Sequence, residues 1–193
     1  MPPDREICFF ISSFVGRWEA LDFFARLFVN DFFIPVTVSL LIILLWFMGR
    51  RSQIGMLASA TSGGLSSLAV KVINWHFIPW ERPFLESIVA KRAALHLFYL
   101  PHDPSFPSNG AACEFAISFG VFMVNKRLGT VLLILSSLWS LSRVYAGVHY
   151  FSDILGGIVI AGFITLFTYK ILFPLSKPFL SLIFWIMERL HLA

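Results

Sequence analysis

The feature that most constrains this chain is a succession of apolar blocks separated by short basic punctuation. Phe32 to Gly49 runs without a single charge, and Arg50 and Arg51 follow at once. Residues 54–79, 128–145 and 151–172 are further long apolar blocks, and Gly110 to Val124 is a shorter one closed by Asn125, Lys126 and Arg127. A helix needs about 20 residues to cross the hydrocarbon of a bilayer. The composition agrees: 58% of residues are hydrophobic and 13% charged, where a soluble domain carries about 25% charge. One small core cannot hide that much apolar surface, but lipid can cover it. The expected fold is an all-α, polytopic membrane helix bundle of five transmembrane helices, filling one domain over residues 1–193. The apolar tail from Phe179 to Ala193 reads as an interfacial helix, and becomes a sixth crossing if it inserts.

Residues 5–30 mix apolar clusters with Arg17, Glu19, Asp22 and Arg26, which reads as an N-terminal amphipathic helix lying at the membrane surface. Asp31 ends it. The 54–79 block is rich in Gly and Ser, the signature of close helix packing in membranes. It also contains Lys71, and Pro79 and Pro83 terminate it. Residues 84–109, with Lys91, Arg92, His102, Asp103 and several prolines, read as a loop.

The formal charge is +4. In a soluble protein this balance would raise the question of nucleic acid. Here the basic residues sit at block ends, so they report orientation in the bilayer, and no nucleic-acid partner is expected. Under a five-crossing arrangement Arg50/Arg51, Lys126/Arg127 and Lys170/Lys177 share the cytoplasmic face. The 79–109 loop and the 143–150 turn then share the other. The chain is expected in the cell membrane, the inner membrane of a bacterium, with its site on the non-cytoplasmic face. No cleavable leader pattern opens the sequence. Cys8 and Cys113 have no neighbours at ligand spacing and read as packing residues.

Three polar segments fall on that second face: Trp80-Glu81-Arg82-Pro83, Ser105 through Gly110, and Ser142-Arg143 through His149 to Asp153. Taken singly, each has an ordinary explanation: a helix stop with a snorkelling arginine, a turn, an interfacial histidine. Together they suit an anionic group carried by a lipid. A guanidinium fork matches phosphate, and Ser108 with the amides after it sits at a helix N-terminus. His149 and Asp153 are four residues apart and share a helix face. An aspartate so placed fixes the imidazole tautomer and leaves the other nitrogen free to attack.

The three segments resemble the motifs of the type-2 phosphatidic-acid phosphatase superfamily: KxxxxxxRP, PSGH and SRxxxxxHxxxD. The third is complete here as Ser142, Arg143, His149 and Asp153, and the resemblance runs from about residue 71 to 153. It implies His149 as nucleophile through a phosphohistidine, supported by Asp153. It also implies phosphate held by Arg82, Arg143, Ser108 and the amides of Asn109 and Gly110, with no metal and no cofactor.

Two departures stand out. Trp75 occupies the lysine position, and Lys71 lies one turn further back on the same face. Gly110 occupies the position of the second-motif histidine, which in the family helps protonate the leaving group. Three explanations compete. In the first, the substrate is a diphosphate lipid, whose monophosphate leaving group needs less acid help. In the second, another acid substitutes, Glu114 or His102. Or Gly110 is an inactivating change. The expected activity is metal-independent hydrolysis of the terminal phosphate of a membrane lipid phosphate, with polyprenyl diphosphate the first substrate. Phosphatidic acid, phosphatidylglycerol phosphate and lipid A phosphates remain open, as does oligomeric state. The reading from another class is a non-catalytic phospholipid-binding or transport protein that keeps the anion pocket. Restoring the histidine at residue 110 is the substitution this reading calls for.

Overall fold

A computed structural model describes residues 2–76 and 80–189; Pro79 and the end of the tail, including His191, lie outside them. The described residues form helices and no strand. They are α1 (Arg5–Ser12), α2 (Glu19–Val29), α3 (Phe33–Ile43, extended by a 3₁₀ turn Leu44–Met48), α4 (Arg50–His76), α5 (Pro83–Glu86), α6 (Ile88–Leu97), α7 (Asn109–Val124), α8 (Lys126–Tyr145), α9 (Phe151–Phe167) and α10 (Phe173–Arg189). A π-helical turn, Thr168–Leu172, joins the last two.

By length and composition α4, α8 and the stretch from Phe151 to Ser176 can each cross a membrane. The pair α2 and α3, bent by 54°, makes a fourth if taken as one broken span, and α7 is a shorter apolar helix. The outward surface is apolar: Phe163, Val159, Ile134 and Leu40 are all more than half exposed, as expected of a lipid-facing bundle.

At its centre α4, α7 and α9 pack with almost nothing between their backbones. A β-carbon at Gly120 would lie 2.8 Å from Ser59 Cα, and one at Gly63 would lie 2.7 Å from the Ile117 side chain. This is the small-residue packing expected of the α4 sequence. Gly55 meets Val124, and the Tyr169 hydroxyl donates to Gly120 O at 2.8 Å. These contacts bring Arg50, Lys126 and Lys170 to one end of the bundle. The ends of α8 and the starts of α7 and α9 lie at the other.

Three sequence expectations differ from what is observed. The helix over residues 5–30 is two helices, because the chain turns at Gly16 (φ 83°) and Asp22 accepts the Gly16 N–H at 2.8 Å. The 84–109 loop contains α5 and α6. Ser87 caps α6, accepting from Ala90 N–H, and the alanines of IVAKRAALHL favour helix. The tail helix begins at Phe173 rather than Phe179, since the π turn carries the chain on without a break. Helices α1, α2, α5 and α6 gather around the end of α8. Tyr145 donates to Asp22 at 2.8 Å, and Arg5 pairs with Glu86 at 3.0 Å.

Candidate active site

Two helix beginnings and one helix end meet here. Ser108 caps α7, its hydroxyl accepting from Ala111 N–H, and its own N–H donates to Asp153 O at 3.0 Å. That bond ties the second polar segment to the third. Gly157 makes the approach possible: a β-carbon there would lie 2.8 Å from Ser108 O and 2.9 Å from Ala112 N. After α8 the chain reverses at Gly147, whose φ of 69° suits glycine, and Val148 N–H returns to Arg143 O at 3.1 Å. The reversal delivers His149 beside the first turn of α9.

His149 Nδ1 lies 3.2 Å from Asp153 Oδ2. The same oxygen accepts from Ser105 Oγ at 2.5 Å and from Tyr150 N–H at 2.7 Å, while Trp80 Nε1 donates to Oδ1 at 2.8 Å. A carboxylate ringed by donors acts as acceptor, so the hydrogen-bond network places the imidazole proton on Nδ1 and the lone pair on Nε2. Burial pushes the His149 pKa below its usual value; the bond to Asp153 opposes this and the Arg82 charge adds to it. Nε2 sits 3.3 Å from an Arg82 guanidinium nitrogen and 3.5 Å from Ser108 Oγ. A neutral imidazole held this way presents its Nε2 lone pair as acceptor to an Arg82 N–H, beside the Ser108 hydroxyl.

The two arginines differ. Arg82, 3% exposed, donates to Asp103 O and Val148 O, both at 2.7 Å, and pairs with the Asp103 carboxylate at 2.9 Å. It stitches the loop around residue 103 to the turn that carries His149. Arg143 pairs with Asp31 at the start of α3, and its guanidinium stacks 4.1 Å from the Trp139 ring and 4.9 Å from that of Phe98. Its Nε has no hydrogen-bond partner.

A cavity of about 310 Å³ opens over these groups, with His149, Arg82, Arg143, Gly110, Glu114 and Trp139 in its wall. Asn109 also lines it, accepting from Ser67 Oγ at 2.8 Å. Gly110 leaves no room for a side chain, because a β-carbon there would overlap the ring of Trp139. Trp139 is 3% exposed and anchored by its Nε1–H to Asn30 O at 3.2 Å. A histidine restored at residue 110 would therefore meet a filled space. Glu114, 6% exposed, has a carboxylate oxygen with no partner.

Lys71 is exposed and lines an adjoining recess with Trp75, Asp103 and Asn109, outside the His149 cavity. His102 is exposed and is not part of the cavity wall. The structure adds groups that the motifs did not single out: Asp31, Tyr99 (which donates to Asp31 at 2.6 Å), Ser105, Trp80 and Trp139. Trp80 and Ser105 lay inside the polar segments. Asp31 had one signal, an acid at the end of an apolar block. Trp139 had none, being one aromatic among many. Among the described residues no three His, Cys, Asp or Glu side chains gather as a metal would need.

Comparison with known proteins points one way. The family described as the PAP2 superfamily matches residues 55–177. The undecaprenyl-diphosphatase BcrC of Bacillus subtilis is 30% identical over 84% of this chain and 81% of its own length. A putative undecaprenyl-diphosphatase, YbjG of Escherichia coli, is 32% identical over 63% of this chain and 60% of its own. Among solved structures, the PAP2-type phosphatidylglycerolphosphate phosphatase of Bacillus subtilis shares the fold, with a TM-score of 0.51, 20% identity and 89% of each chain covered.

Proposed function

Since the chain belongs to the PAP2 superfamily, we propose that it removes the terminal phosphate from a membrane lipid diphosphate, with His149 as nucleophile. The observation that carries this reading is the imidazole itself. Its Nδ1 is fixed by Asp153, and its Nε2 lies between Arg82 and Ser108 where His149 lines the open cavity. The phosphoryl group would enter that cavity with its lipid still in the bilayer. Nε2 attacks phosphorus and Asp153 stabilises the imidazolium that forms. Arg143, through its unpartnered Nε, and Arg82, beside Nε2, hold the phosphoryl oxygens as negative charge grows on them. The amides opening α7 add the positive end of a helix. Water then cleaves the phosphohistidine.

The two undecaprenyl-diphosphatase relatives support a polyprenyl diphosphate as substrate. The basic residues gathered at the far end of the bundle support a site on the non-cytoplasmic face. The test is phosphate release by purified protein from polyprenyl diphosphate, phosphatidic acid and phosphatidylglycerol phosphate. Release should persist in EDTA, stop with vanadate and vanish in His149→Ala. Activity lost to EDTA and restored by Mg²⁺ would sink this reading.

One observation favours a second reading. Trp139 fills the space of the second-motif histidine, and carboxylates already hold both arginines. A phospholipid-binding or transport protein with this pocket would bind vanadate or a lipid phosphate and release no phosphate from any of the three lipids.

A further inference from the structure

Phosphoryl transfer from a lipid phosphate needs a proton for the departing oxygen, and the family's histidine is absent at Gly110. Of the acids near the cavity, Asp31 holds Arg143, Asp103 holds Arg82, and Asp153 is bonded to four donors. His102 is exposed and outside the wall. Glu114 remains. It lies one turn along α7 from Gly110, lines the same cavity as His149, and is 6% exposed. Its Oε2 has no partner, and no described side chain bonds its carboxyl. Arg143, in the same cavity wall, is paired with Asp31 instead. An ionised carboxylate left buried without donors is costly, whereas a neutral carboxylic acid is tolerated and carries a proton to give.

We propose that Glu114 is the proton donor of this enzyme, standing in for the histidine that Gly110 and Trp139 exclude. The role rests on the phosphatase reading above. In the first half-reaction the Nε2 lone pair forms the N–P bond while the P–O bond to the leaving group breaks. That oxygen keeps the bonding electrons and takes the Glu114 proton. In the second half, the Glu114 carboxylate accepts a proton from water as its oxygen bonds to phosphorus. The N–P bond breaks, its electrons return to Nε2, and inorganic phosphate leaves with Glu114 protonated again.

The demand on an acid depends on the leaving group, and this gives the test. Glu114→Gln and the unsubstituted chain, in detergent, are compared on phosphatidic acid, polyprenyl diphosphate and p-nitrophenyl phosphate, with His149→Ala alongside. An alkoxide needs the proton most, a lipid monophosphate less, and p-nitrophenolate almost not at all. Glu114→Gln is expected to lower kcat on phosphatidic acid by about 10²–10⁴-fold, the usual worth of general acid help. The loss on polyprenyl diphosphate should be smaller, and the first-turnover burst of p-nitrophenolate, which precedes phosphohistidine hydrolysis and so reports the first half-reaction alone, should lose least; an unchanged Tm shows that the variant folds. Equal losses on all three in the first-turnover release of the leaving group, or none, would overturn the role of Glu114 while leaving His149 chemistry intact. If His149→Ala keeps full activity, or the unsubstituted chain turns over none of the three, the phosphatase reading itself falls and the donor role with it.

Discussion

Trp139 and Gly110 share one space: the ring carbons of Trp139 are the nearest atoms to any side chain that residue 110 would carry. The tryptophan cannot easily step aside, being bonded to Asn30 O and covered by the Arg143 guanidinium. Gly110 is therefore part of a matched pair, and reinstating the family histidine takes two substitutions.

Gly110→Ala should lower stability by about 1–3 kcal/mol, the usual penalty of overpacking, read as a fall in Tm in detergent. Trp139→Leu in the same chain should recover part of it. Gly110→His alone should bring no gain in phosphatidic acid hydrolysis, while Gly110→His with Trp139→Leu should. A single Gly110→His variant that folds with unchanged Tm and works faster would contradict the packing seen here.

Asp153→Asn should lower kcat by about 10²–10⁴-fold, because an amide cannot hold the Nδ1 proton as a carboxylate does. It should also cost about 1–3 kcal/mol, since an amide NH₂ must then face a donor among Ser105, Tyr150 N–H and Trp80. Ser105→Ala, which removes one donor and leaves the charge, should cost less on both counts.

These two predictions show where sequence reading carried and where it stopped. His149, Asp153, Arg82, Arg143 and Ser108 were legible because they stand in the family's motifs at fixed spacing, and the structure brings all five together. The long apolar blocks were legible because the bilayer sets their length. Asp31 and Trp139 were not. Their roles arise from packing between α3 and α8, helices far apart in the sequence, and nothing local marks one tryptophan among 6. Helix α6 was missed because prolines and charges flanking a 10-residue helix look like loop. Lys71 was placed by helical phase alone, and the structure sets it in an adjoining recess that shares Asp103 and Asn109 with the cavity.

Asp31 holds the guanidinium that the proposed mechanism gives to phosphate, so the two would compete for Arg143. Asp31→Asn should lower Tm, because it leaves a largely buried guanidinium short of its partner; about 1–3 kcal/mol is expected, given that Asp31 itself is one-third exposed. Vanadate should then raise the Tm of the variant more than that of the parent. An equal rise in both would show that Asp31 and the anion do not share Arg143.

The pH response follows from His149. Its folded pKa lies below 6.5, chiefly through burial, so the nucleophile stays neutral down to that pH and beyond. The acid limb of kcat/KM should accordingly fall below pH 6.5. The sign for stability is the same. Unfolded chain takes up a proton on this imidazole near pH 6.5 while the folded chain does not, so stability declines as pH drops below that value. His149→Gln should flatten this part of the stability profile. An acid limb centred well above pH 6.5 would mean that another group controls the rate.

The seam between α4 and α7, where Gly120 meets Ser59 and Gly63 meets Ile117, joins helices that touch nearly backbone to backbone. Such a joint has few rotatable groups to give, so it behaves mechanically as a stiff post. The start of α7, carrying Ser108, Gly110 and Glu114, is fixed to that post. The opposite wall is jointed instead: α2 and α3 meet there at a 54° bend, and Asp31 reaches across to Arg143. The molecule is thus built like a vice with one fixed jaw, α7, and one jointed jaw at the bend between α2 and α3.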